Sequence, residues 1–183
     1  PALPWASVVI VNTNELHHLE RCLPSILRQR YPEAEVLVVD NGSTDGSAEF
    51  VEREFPQVKV IRNGVNLGYA GANNVGFEHA SGEYVAVLNP DTEVEEDWLV
   101  ELVTALEADP SAGLATPKIL MMDDPGRINS CGNEITFTGL TFCRGLDQPA
   151  GMYDQLDTIS AISGAAFIIR RSVLEHIGGF DPS

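Results

Sequence analysis

Short runs of β-branched and aliphatic residues constrain this chain more than anything else in it: "ASVVIVN" (6–12), "AEVLVVD" (34–40), "VKVIRN" (58–63) and "EYVAVLN" (83–89). The first, second and fourth show no alternation of apolar with polar residues, so they read as strands buried on both faces. Helical patterns separate them. Leu16, Leu19, Leu23, Ile26 and Leu27 repeat at helical spacing, and Pro24 inside that pattern predicts a kink or a restart. Ala48, Val51 and Phe55 mark a second helix that Pro56 stops. Residues 66–80 read as a glycine-rich start to a third. Leu99, Leu102, Val103 and Leu106 share one face of a fourth, expected to begin near Glu95. A fifth strand is expected over 112–119, and residues 159–180 read as strand then helix.

Strands alternating with helices about every 25 residues imply an α/β fold: a Rossmann-like three-layer αβα sandwich with a mostly parallel central sheet. The chain's 183 residues suit a single domain, 1–183. From 123 to 158 the pattern loosens into a variable region, with a hairpin expected around Gly139 and a mobile loop. Both ends look cut, because the chain opens on Pro1 and stops at Ser183, so the natural protein is expected to be longer.

Ligands of such sheets bind beyond the carboxyl ends of the strands. The segments there are "NTNE", "DNGSTD", "NGVNLGYAG" and "NPD", a polar, amide-rich and acidic set on one edge. Asp40 has two readings: a cap for the next turn, or an acceptor for a nucleobase N–H or a ribose hydroxyl. Within "GSTDGS", Ser43, Thr44 or Asp45 is expected to cap the second helix. Gly68 and Gly71 either pack a helix tightly on the sheet or let backbone approach a ligand, with Asn66 and Asn73 supplying amides. Pro90 fixes the geometry of Asn89-Pro90-Asp91. Asp91 then either opens the following helix through an Asx-turn or holds a hard divalent cation shared with phosphate oxygens.

Charge sharpens that choice. The net charge of −16 leaves no basic stripe for nucleic acid. Two like charges about 5 Å apart at an effective dielectric near 20 repel by about 3 kcal/mol, so a diphosphate needs amides, local arginines or a metal cation. Cys22, Cys131 and Cys143 form no CxxC and read as reduced thiols. No apolar run is long enough to span a bilayer and no leader opens the chain, which makes the cytoplasm the default location, with the inner face of the membrane as the peripheral alternative. His17 and His18 read as exposed helix residues, with a ligand role as the alternative. Trp5 and Trp98 read as packing residues; Arg170 and Arg171 read as solvated or salt-bridged before they read as phosphate ligands.

"SVVIVNTNE", "VLVVDNGSTDGS", "NLGYAGANNVGFEHASGEYVAVLNPDTEV" and "SGAAFIIRRSVLEHIGGFD" together resemble the glycosyltransferase family 2 domain, which has the glycosyltransferase-A fold. The resemblance covers nearly the whole chain as the N-terminal part of the catalytic domain and is weakest over 123–158. It implies an inverting glycosyltransferase of hexosyltransferase type. Such an enzyme moves a sugar from a nucleotide-diphospho-sugar to a glycan or lipid-linked acceptor in cell-surface polysaccharide synthesis, with Mg²⁺ or Mn²⁺ on the diphosphate. It implies that Asn12, Asn14 and Glu15 line the nucleotide pocket and that Asp40 contacts the base. Asn89 and Asp91 stand at the family's Asp-x-Asp metal motif, Asp91 being the ligand. Gly164, Ala165 and Ala166 fall near the transferred sugar and acceptor. Rhamnosyltransferases are the most similar members. The chain departs from the family at Thr13, where a stacking tyrosine is usual. The family's general base, an acidic pair after "GGFD", is expected beyond Ser183. Two alternatives stand beside this reading. One is a non-catalytic nucleotide-binding or scaffold domain of the same fold. The other is a sugar-nucleotide-forming nucleotidyltransferase, which wants a glycine-rich loop with arginine and lysine immediately after the first strand, where "NTNELHHLERC" has neither a glycine nor an early lysine.

Overall fold

The computed structural model describes residues 4–182; the expectations about the cut ends at Pro1 and Ser183 lie outside the described residues. The first half alternates regularly: β1 (Ala6–Asn12), α1 (Leu16–Leu27), β2 (Ala34–Asp40), α2 (Ser47–Glu54), β3 (Lys59–Arg62), α3 (Gly68–His79), β4 (Tyr84–Leu88) and α4 (Trp98–Ala108). Short strands follow: β5 (Leu114–Ala115), β6 (Ile119–Leu120), β7 (Ile128–Ser130), β8 (Asn133–Ile135) and β9 (Thr141–Cys143). Then β10 (Ala166–Arg170) runs directly into α5 (Arg171–Ile177). The main sheet has the order β3-β2-β1-β4-β10-β5. The β3-β2-β1-β4 part is parallel, and β10 lies antiparallel between β4 and β5.

Successive strand residues point to opposite faces, and both faces are covered. Val8, Ile10, Val36 and Val38 pack under α1, α2 and α4, while Val9, Leu37, Val39, Val85 and Val87 pack under α3 and α5. This is the αβα sandwich that the unalternating runs imply. Two expectations need correction. Of the kink or restart expected at Pro24 the restart is excluded: α1 is continuous through it, and the carbonyl left without its helical donor belongs to Glu20, an exposed residue. The strand expected over 112–119 splits. Pro117 has no N–H for a ladder, so Leu114–Ala115 joins β10 while Ile119–Leu120 pairs with β7. In the variable region, β8 pairs with β9 across a turn in which Gly139 takes a φ of 81°. Among the described residues no helix is long and apolar enough to cross a membrane.

At the amino end of the sheet, Glu35 ties three segments together. Its Oε1 accepts from Ser7 Oγ (2.7 Å), Ser81 N (2.8 Å) and Ser81 Oγ (2.6 Å). Burial works to raise its pKa, but the Ser81 and Ser7 hydroxyls and the Ser81 N–H outweigh it and hold the carboxyl below its usual range. A depressed folded-state pKa gives stability that is present above the unfolded value of about 4.3 and lost as pH falls through the folded one. Melting temperatures followed from pH 7 downward should therefore show Glu35→Gln less stable than wild type at neutral pH, with the two converging in acid. A constant gap would refute the role.

Candidate functional site

A cavity of about 330 Å³ opens at the carboxyl edge of the parallel strands. Val11, Thr13 and Glu15 reach it from the end of β1, Asn41 from β2, Asn66, Gly68 and Tyr69 from the start of α3, and Asn89, Pro90 and Asp91 from β4. Its charged lining residues are Glu15 and Asp91, both acidic; among the described residues no lysine or arginine lines it.

The Asn89–Thr92 turn explains how Asp91 comes to face this space. Thr92 N and Thr92 Oγ1 both donate to Asn89 O, at 3.3 and 2.6 Å, and Asn89 N donates to Ala165 O at 2.9 Å. The turn is thus closed without the Asp91 carboxylate, which has no hydrogen-bond donor among the described residues. Nor does Asp91 cap a helix, since α4 begins only at Trp98. Of its two sequence readings, the Asx-turn is removed. Beneath the turn, burial pushes the Cys22 thiol up to about 12, and the charges of Asp91 and Glu93 add to the effect, so Cys22 is an inert neutral thiol.

Asn41 organises the opposite wall. Its Oδ1 accepts from Leu67 N (2.8 Å) and Asn63 Nδ2 (3.2 Å), and its Nδ2 donates to Asn66 Oδ1 (2.8 Å), which also takes Gly68 N (2.8 Å). This network fixes the start of α3, where Gly68 has a φ of 70°. Tyr69 Oη donates to Gly164 O at 2.6 Å and so joins α3 to the segment before β10. Ala165 meets Asn89 through the backbone bond already described.

The remaining predicted residues do not line the cavity. Asn12 is fully buried, its Nδ2 donating to Ser43 Oγ (3.0 Å) and Ser47 Oγ (2.7 Å). Asn14 has a φ of 58°, tolerable for asparagine, and its Oδ1 accepts from Thr44 N. Asn73 is buried, with Nδ2 on Tyr69 O. Asp40 is 5% exposed and its Oδ1 has no partner, as is true of Asn12 Oδ1 and Asn73 Oδ1. Asp45 rather than Ser43 or Thr44 does the capping, and for two helices: Oδ1 accepts from Ser47 N and Oδ2 from Leu16 N, both at 3.0 Å. Burial would raise its pKa, but the bonds from Ser47 and Leu16 prevail and hold it below the carboxylate range.

Asn41 and Tyr69 escaped the sequence reading, although each had a signal. Asn41 directly follows the strand-ending Asp40, and Tyr69 is the one aromatic in the glycine-rich start of α3. Arg170 and Arg171 turn out to serve the other end of the sheet. Arg170 donates to Tyr84 Oη and Ala112 O, and Arg171 to Gly82 O and Ala80 O. Trp98 is buried, while Trp5 bonds Ser81 Oγ.

Comparison with known proteins places this geometry in context. The model of the family described as Glycosyl transferase family 2 matches residues 7–178. A poly-beta-1,6-N-acetyl-D-glucosamine synthase of Staphylococcus epidermidis is 28% identical over 96% of this chain and 42% of its own. An N-acetylglucosaminyl-diphospho-decaprenol L-rhamnosyltransferase of Mycobacterium tuberculosis is 28% identical over 95% of this chain and 64% of its own. Among solved structures, a mannosyltransferase of Pyrobaculum calidifontis in complex with GDP-Man and Mn²⁺ superposes with a TM-score of 0.72 at 26% identity, covering 98% of this chain and 48% of the other. The chain thus spans from under half to under two-thirds of the length of these proteins.

Proposed function

Since the chain belongs to glycosyl transferase family 2 and has the glycosyltransferase-A fold, we propose that its cavity binds a nucleotide-diphospho-sugar together with Mg²⁺ or Mn²⁺. The sugar then passes, with inversion, to a glycan or lipid-linked acceptor of a cell-surface polysaccharide. The observation that carries this reading is the cavity's charge. Glu15 and Asp91 face a space with no basic residue, so a diphosphate enters it only in company with a cation. The donor set fits a hard ion: a carboxylate held in place by Pro90 and free of protein donors. Bound there beside the diphosphate, a divalent ion supplies neutralisation of the leaving group's charge.

The chain's own residues do the rest. Asp40, at the end of β2, contacts the base, and Asn12 and Asn14 hold the Ser43–Thr44 loop beside it. The Asn41–Asn66 network presents the start of α3 to the donor, with Asn73 fixed behind it. Asn89 and Tyr69 fasten Ala165 and Gly164 where the sugar and acceptor meet. The acceptor hydroxyl needs a carboxylate base.

A thermal-shift panel tests the binding. At a ligand concentration 100-fold above Kd the melting temperature should rise by about 5–10 °C, and only when Mn²⁺ and a nucleoside diphosphate are present together. No rise with any nucleotide would sink the proposal and leave the scaffold reading.

A further inference from the structure

On the lip of the cavity, the start of α1 carries a cluster in which Glu15, a lining residue of the donor cavity, meets two histidines that line none of it. Glu15, His17 and His18 each offer one ligand atom, and the three atoms lie within 4.8 Å of one another. His18 Nε2 stands 3.4 Å from Glu15 Oε2. The rings of His17 and His18 are 3.9 Å apart between centroids, tilted by 40°. Neighbouring residues on a helix ordinarily point about 100° apart and do not face each other. Here they converge, and they do so beside a carboxylate.

We propose that Glu15, His17 and His18 form a second metal site, selective for a borderline transition ion of the Zn²⁺ class. The chemistry separates it from the position at Asp91. Imidazole nitrogen suits zinc, nickel and copper, whereas carboxylate oxygen and water suit magnesium and manganese. Two imidazoles and one carboxylate leave a fourth position for water, the usual arrangement of an open zinc site. His17 is exposed and Glu15 and His18 are half-buried, so an ion reaches all three without unfolding anything. The positive end of α1 opposes a cation only weakly at an exposed position. Asp45 Oδ2 on Leu16 N offsets part of that, and coordinate bonds from three ligands exceed the remainder.

The site requires no nucleotide, so its test is independent of the donor reading. Tag-free protein at pH 7.5 is titrated with Co²⁺ as a visible-absorbing probe, and Zn²⁺ is then added as competitor. Wild type should show saturable absorption at one equivalent that Zn²⁺ removes and that a large excess of Mg²⁺ does not. His17→Gln and His18→Gln should each weaken binding by at least the about 10–100-fold that loss of a mere ligand-orienting partner costs. Asp91→Ala should leave it unchanged. Both histidines are solvent-accessible, and unaltered melting of the metal-free variants confirms that they fold. A cobalt spectrum that survives the double substitution His17→Gln/His18→Gln, or one that disappears with Asp91→Ala, overturns the assignment.

Discussion

Asp91→Ala should cost about 100-fold in the Mn²⁺-dependent affinity for a nucleoside diphosphate. The figure follows from charge. Without its carboxylate the cation is lost, and the diphosphate meets Glu15 uncompensated, a repulsion of about 3 kcal/mol at close range, which is about two powers of ten in Kd. Asp91→Asn keeps the shape and removes the charge, so it should fall nearly as far. Neither change should lower the melting temperature, because the side chain is exposed and the turn is closed by Thr92 and Asn89. Titration calorimetry with and without Mn²⁺ separates the outcomes. Affinity that remains manganese-dependent at wild-type strength in Asp91→Ala would remove the basis of the proposed function.

The second large effect concerns the fold. A Cβ at Gly82 would stand 2.5 Å from Ser7 N, 2.6 Å from Ala6 C and 2.7 Å from Tyr84 O. All three are backbone atoms of the two central strands or the residue leading into them, so no rotamer change relieves the clash. The same glycine donates its N–H to Ser7 Oγ at 2.8 Å and accepts from Arg171 Nε, so displacing it breaks the knot at the amino end of the sheet. Gly82→Ala should therefore destabilise by about 3 kcal/mol, at the upper end for overpacking, and lower the melting temperature by about 6–12 °C. Gly151→Ala is the control: a Cβ there meets nothing within 4 Å, and its backbone is not in the left-handed region. Equal melting of the two variants would contradict the account.

Local order was the legible part of this molecule. The runs at 6–12, 34–40 and 83–89 announce buried strands because both of their faces are apolar, and the parallel half of the sheet follows. Glu15, Asn66, Asn89 and Asp91 could be placed on one edge because each follows a strand, and all four line the cavity. What stayed hidden depends on contacts between distant residues. Nothing in "AAFIIR" tells that β10 runs antiparallel between β4 and β5, since that pairing joins residues some eighty positions apart, such as Ala166 with Leu88. Tyr69 belongs to the site because it reaches Gly164, ninety-five positions away. A ligand role for His17 and His18 stood only as the alternative for the opposite reason: helical spacing argues that adjacent side chains diverge, and in this first turn they do not.

The position of β10 has a consequence for how the protein is made. A ribosome delivers β1 to β4 early, and these can zip together as they emerge. β5 leaves the exit tunnel soon after but has only β10 to pair with in the main sheet, and β10 lies some fifty residues downstream. Until it arrives, the edge of β4 stands open on a nascent chain synthesised at about 5–20 residues per second, an interval of several seconds in which an unpaired strand edge invites another chain. Slow translation through 121–165 should thus be when this protein most needs a chaperone.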